Sequence, residues 1–268
     1  MIAGWDCHAH VFGPYDRYPL AAGRSYTPPE ALLPDYLAQL ALLGLSHGVL
    51  VHPSAYGSDR TLLLGALAAQ PRLRGVIVAR PGELPTLNGL HDAGVRALRF
   101  SHRSGAGTNF QGSASFEDLL TLAPAMAGAG LHAELWTDCK VLPDIAPQLR
   151  TLPLPVVIDH MGGFDVDAGI DDPNFRTLLS LIESSKIWVK LCAYRNLLKA
   201  AGIAQGQPFH QALVAANPTQ LVWGSDWPHL NVAPAPDALQ LLDKMKRWTA
   251  NADITRQILV SNPNRLYL

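Results

Sequence analysis

Eight short runs rich in β-forming residues alternate with longer stretches of helical periodicity, and that rhythm constrains the fold of this chain more than any single residue. The runs cover residues 2–7, 47–51, 74–79, 95–100, 131–136, 156–159, 187–191 and 221–223. Between them, segments such as 35–43, 62–70, 116–127, 175–184 and 236–248 repeat apolar residues at helical spacing. Strands joined through helices run parallel, so the alternation predicts a parallel sheet with helices packed outside it. Eight such units in 268 residues match the usual size of a (β/α)8 TIM barrel, an α/β fold. No charge run, Gly/Ser linker or low-complexity tract divides the chain, so residues 1–268 are expected to form one domain.

A hydrophobic content of 48% supports a large buried core. Lys plus Arg (21) nearly balances Asp plus Glu (22), which leaves no overall field to hold a nucleic acid or an anionic membrane. Any anion the chain binds must therefore meet local arginines. The cysteines, Cys7, Cys139 and Cys192, are odd in number and form no CxxC pair, which argues against a disulfide framework and a zinc knuckle. With no leader-like start and no apolar run of about 18 residues, a cytoplasmic protein is expected. Self-association is left open.

In a barrel of this kind the active site lies at the C-terminal ends of the strands. His8 and His10, spaced i and i+2, face the same way there, and by the same alternation Cys7 faces away from them. His160 follows the sixth run and Asp226 the eighth. Singly, each has a structural explanation: a core histidine bonded to a carbonyl, or an aspartate capping the next helix. Together they suit acyl transfer to water. A carboxylate takes the proton of the attacking water, while imidazoles or a metal polarise the acyl oxygen. No serine or cysteine sits in a nucleophile elbow.

Two long segments, 11–34 and 101–115, are expected to loop over the mouth. The second is glycine-rich, but it lacks the Walker lysine and the GxGxxG spacing, so a phosphate cradle is not expected. Planar guanidinium groups bind carboxylates through paired hydrogen bonds, which makes Arg99, Arg103 and Arg195 the expected readers of an acidic substrate. Trp136 and Trp227 are placed either to fill the core or to wall a flat ring.

Longer blocks add a family likeness. Asp6-Cys7-His8-Ala9-His10-Val11-Phe12-Gly13-Pro14, Arg96 to Phe100, Val157 to Gly162, Val222-Trp223-Gly224-Ser225-Asp226-Trp227-Pro228-His229 and Val260 to Tyr267 resemble the amidohydrolase superfamily. Within it they are similar to the 2-pyrone-4,6-dicarboxylate lactonase subgroup, in the same order over almost the whole chain. The resemblance implies lactone hydrolysis in aromatic catabolism, with Asp226 as general base and His8, His10 and His160 around the substrate carbonyl. It also implies substrate contacts from Arg99, Tyr26, Ser54 and His229, and a small acidic lactone as the partner molecule.

The wider superfamily commonly binds zinc or a related ion, whereas the pyrone lactonase type works without one. Binuclear members add a lysine or glutamate at strand four and a histidine at strand five. Here those strands end in Arg99-Phe100-Ser101 and Leu135-Trp136-Thr137, so two metals are not expected, and the Arg99 charge would repel a divalent ion. The expectation is no cofactor. The alternative is a single zinc on His8, His10, His160 and Asp226, in a hydrolase or decarboxylase. Gly163 and Phe164 follow Gly162 where the pyrone dicarboxylate pattern has arginine, which brings in a sugar-acid lactonase or lactone isomerase. A noncatalytic acid-binding barrel is the remaining class.

Overall fold

In the computed structural model, which describes residues 4–83, 86–105, 111–184, 186–197 and 202–268, eight parallel strands stand side by side in chain order. They are β1 (Trp5–Ala9), β2 (His47–Val51), β3 (Leu73–Ile77), β4 (Val95–His102), β5 (His132–Thr137), β6 (Val156–Ile158), β7 (Ile187–Leu191) and β8 (Leu221–Trp223). Each expected run is a strand with its ends moved by a few residues; residues 2–3 of the first run and 106–110 of the second loop lie outside the described residues.

The helices are α1 (Leu33–Leu42), α2 (Thr61–Ala69), α3 (Phe116–Gly128), α4 (Leu142–Thr151), α5 (Pro173–Ile182), α6 (Gln207–Ala216), α7 (Ala238–Thr249), α8 (Ala252–Arg256) and α9 (Asn262–Tyr267). Short polar side chains start several of them. Ser115 and Asp118 form a reciprocal cap on α3, and Asp237 accepts the Leu239 and Gln240 amides at α7. Among the described residues no α-helix joins β3 to β4, and none is long and apolar enough to cross a membrane.

Strand alternation sorts the core into two layers. Leu50, Ile77, Leu98, Leu135, Ile158 and Val189 pack outward into the large cluster shared with the helices. Val49, Val51, Val76, Ala97, Val157 and Val222 form the inner layer, which Trp5 and Tyr267 close at the N-terminal end of the barrel.

One strand breaks the alternation. Between Asp6 and Ala9 the register of β1 against β2 slips, so that Cys7 and His8 both stand opposite Val49. This bulge corrects the expectation for Cys7. Instead of facing away from the histidines, Cys7 belongs to the inner layer with Val49 and Val51, and His8 also points inward.

Closure falls between β8 and β1. The Asp226 amide donates to the His8 carbonyl at 2.8 Å, and the His10 amide donates to the Trp227 carbonyl at 2.8 Å. Ser225 donates its amide and its hydroxyl to the buried Asp6 carboxylate at 2.8 and 2.6 Å. Gly224 permits this approach, because a Cβ there would lie 2.6 Å from His8 Cβ.

Candidate active site

The bulge of β1 and the loop after β8 bring the expected residues to one point. His8 Nε2 and His10 Nε2 lie 3.3 Å apart, and each is 3.6 Å from Asp226 Oδ1. His160 Nε2 lies 3.7 Å from Asp226 Oδ2. All four side chains are buried. The backbone is strained to hold them: His160, Met161, Asp226, His229 and Asn231 all adopt positive φ. Each such residue costs about 1–2 kcal/mol. Only one other described non-glycine residue, Ala250, does the same.

Asp226 is held on one side only. Its Oδ2 accepts from the Tyr194 hydroxyl at 2.6 Å and from Arg195 Nε, whereas its Oδ1 has no hydrogen-bond partner among the described residues. Burial, the largest single influence, would push its carboxyl up, but the Arg195 guanidinium together with His10 and His160 outweighs it and holds the carboxyl well below the usual carboxylate range. Asp226 is therefore a carboxylate with one free oxygen. His10 is fixed by its Nδ1, 2.7 Å from the Val51 carbonyl, and burial lowers its pKa. Neither ring nitrogen of His160 has a partner among the described residues.

Beneath this rim lies a network that the motifs did not reveal. Lys190 Nζ donates to Glu134 Oε2 at 2.7 Å, stands 3.1 Å from Asp159 Oδ1, and reaches His8 Nδ1 at 3.1 Å, all fully buried. Tyr267 donates to the other Glu134 oxygen at 2.8 Å, and Arg99 donates through Nε and Nη2 to Asp159 Oδ2 at 3.1 and 3.0 Å. Burial disfavours the Lys190 charge, but Asp159 and Glu134 more than offset it and raise the pKa. A signal did exist: Lys190 is the one charged residue of the otherwise apolar β7, and Glu134 the one acidic residue of β5.

A cavity of about 220 Å³ opens above the four residues. This is below the ~300–1,000 Å³ of drug-sized sites and suits one substituted ring. Of the expected substrate contacts, Arg99, Arg195, Tyr26, Ser54 and Trp136 line it, together with His10, His160 and Asp226. Arg103 and His229 do not. Arg103 stacks its guanidinium over the Trp136 ring at 4.4 Å, and His229 packs edge-on against Tyr194. Trp227 packs on Tyr36 as a core residue, 5.5 Å between ring centroids. Arg99 and Arg195 each have an aspartate partner on one side.

The amidohydrolase family profile matches residues 5–268. The chain belongs to the amidohydrolase family. It is similar to a 4-sulfomuconolactone hydrolase from Rhizobium radiobacter, 33% identical over 98% of this chain and 89% of the relative. It is likewise similar to a 2-pyrone-4,6-dicarboxylate hydrolase from Comamonas testosteroni, 32% identical over 98% and 89%. A solved structure described as a 2-pyrone-4,6-dicarboxylic acid hydrolase from Pseudomonas putida superimposes with a TM-score of 0.83 at 32% identity, covering 100% of this chain and 98% of the other.

A family with metal-dependent members poses the question of whether this site suits an ion. Tetrahedral zinc with bonds of about 2.0–2.1 Å puts its donor atoms roughly 3.3 Å apart. His8 Nε2, His10 Nε2 and Asp226 Oδ1 stand 3.3 to 3.6 Å apart, so their spacing fits one divalent ion, which would polarise a carbonyl or a bound water. The hydrogens around His8 do not fit. A ligating Nε2 must be bare, which puts the ring hydrogen on Nδ1, against the Lys190 ammonium.

Proposed function

We propose that this amidohydrolase is a lactone hydrolase that opens an anion-bearing cyclic ester with water, without a metal. The observation that carries the reading is Asp226 Oδ1, an ionised, buried carboxylate oxygen with no hydrogen-bond partner among the described residues, 3.6 Å from the His8 and His10 imidazoles at the floor of a ring-sized cavity. The two hydrolases named above, both acting on acidic lactones by name, support the substrate class.

The reaction follows from the geometry. Water between Asp226 Oδ1 and the acyl carbon forms the new C–O bond as its proton passes to Oδ1. His8 and His160 surround the acyl oxygen and stabilise its developing negative charge. The ring C–O bond then breaks, and the departing oxygen takes the proton back from Asp226, which leaves a hydroxy acid and the free base. Arg99 on β4 and Arg195 after β7 hold the substrate anion. Tyr26 and Ser54 are placed to hydrogen-bond the ring, and Trp136 forms a flat wall.

Turnover of a panel of acidic lactones in ¹⁸O-labelled water tests this. One labelled oxygen in the new carboxylate is expected, at the same rate after exhaustive chelation. An unlabelled product would make the chain an isomerase, activity lost with chelator and restored by zinc would make it a metal enzyme, and no turnover of any lactone would leave a binding barrel.

A further inference from the structure

His8 and His10 point their Nε2 atoms at the same spot, yet their other nitrogens meet opposite chemistry. His10 Nδ1 lies 2.7 Å from the Val51 carbonyl, which can only accept, so the neutral His10 ring carries its hydrogen on Nδ1 and presents a bare Nε2. His8 Nδ1 lies 3.1 Å from Lys190 Nζ, and an ammonium can only donate. The competing acceptor for a hydrogen on His8 Nδ1, Asp159 Oδ1, is farther away at 3.5 Å. Lys190 has three hydrogens and three neighbours, Glu134 Oε2, Asp159 Oδ1 and His8 Nδ1, at 2.7, 3.1 and 3.1 Å.

We infer that Lys190 is a positioning residue that locks His8 in the tautomer with its hydrogen on Nε2, so that His8 donates into the site while His10 accepts. A second contact requires the same assignment. With His10 Nε2 bare, a bare His8 Nε2 at 3.3 Å would set two lone pairs face to face, whereas a hydrogen on His8 joins them. A small rotation of the His8 ring redirects that hydrogen to Asp226 Oδ1, at 3.6 Å, or to the oxygen of a bound carbonyl. The pair is thus asymmetric despite the symmetric His-x-His spacing.

The consequence for metal is specific. An ion on both Nε2 atoms would move the His8 hydrogen to Nδ1, exchange the Lys190 bond for an N–H facing an ammonium, and leave one lysine hydrogen without an acceptor. Lys190 therefore weakens divalent-ion binding at donors whose spacing suits it. This holds whatever lactone the enzyme takes, and it is tested without substrate.

Two-bond ¹H–¹⁵N correlation spectra of histidine-labelled, chelator-treated protein report each ring's tautomer; loss of a signal set in His8→Gln and His10→Gln assigns the pair. The wild type is expected to show His8 as the Nε2–H form and His10 as the Nδ1–H form. Lys190→Met is expected to shift His8 to the Nδ1–H form and to bind zinc at least tenfold more tightly, read by calorimetry with zinc chloride alone. His8 in the Nδ1–H form in the wild type overturns the inference. So does a His8 pattern that ignores Lys190→Met, or zinc affinity equal in the two proteins. Should Lys190→Met not fold, the wild-type spectrum decides alone.

Discussion

The barrel lumen is charged at two levels, and the two are built on opposite principles. At the lower level Glu134 is closed off, with Lys190 on one oxygen and Tyr267 on the other. At the rim, Asp226 Oδ1 and both nitrogens of His160 are buried without a hydrogen-bond partner among the described residues. Unsatisfied buried polar atoms cost about 1–3 kcal/mol each, and the left-handed backbone at His160 and Asp226 adds to that. The lower level stabilises charges for the fold; the upper level keeps them available for a ligand.

The sharpest break of that contrast is at the rim. Asp226→Asn keeps the shape and the Tyr194 contact but removes the proton acceptor. Lactone turnover is expected to fall by about 10²–10⁴-fold while the thermal midpoint holds or rises. Turnover within a few fold of the wild type would remove Asp226 from the chemistry.

Below the rim the balance reverses. Lys190→Met leaves Glu134 without a cation and Asp159 with Arg99 alone, and is expected to cost about 3–5 kcal/mol of stability, read from urea melts. A loss under 1 kcal/mol would mean that water reaches this level.

Arg99 spans both levels: the Nε and Nη2 of its guanidinium bond Asp159, and the residue lines the cavity wall. Arg99→Met is expected to weaken substrate binding by about 1.5–3 kcal/mol, seen as a raised KM with kcat changed less than threefold. A fall confined to kcat would place Arg99 beside the reacting carbonyl instead.

The last test reads a slope against pH. Burial pushes His132, at the lower level, down to about 3 and His52, in the cavity wall, down to about 4, against an unfolded value near 6.5. Both stay neutral when folded, so the unfolded chain binds more protons below pH 6.5. Their share of stability is full above that pH and is lost as pH falls towards 4 and 3, at up to about 1.4 kcal/mol per unit for each. His52→Gln is expected to flatten the slope between pH 6.5 and 5 by about one proton; an unchanged slope would mean that His52 is already charged.

Most of the barrel was legible because strand composition and helix periodicity are local properties. The eight runs, the mouth positions of His8, His10, His160 and Asp226, and the cavity places of Arg99, Arg195 and Trp136 follow from counting along strands, whereas Tyr26 and Ser54 came from the family resemblance alone. Cys7 was misplaced because a bulge arises from pairing with β2, which no count along β1 reveals. Arg103 and His229 sit in the right segments, but their side chains turn to Trp136 and Tyr194. The Lys190 network joins β1, β4, β5, β7 and the residue just after β6, so it exists only once the sheet has curled.

The seam where β8 meets β1 is also where the base meets the first histidine, since Asp226 N bonds the His8 carbonyl and His10 N bonds that of Trp227. Half-barrels expressed as separate polypeptides would each carry only part of the constellation, and activity would appear only upon their complementation. Catalysis is in this sense a readout of ring closure, and selection on turnover would protect the weakest joint of the cylinder.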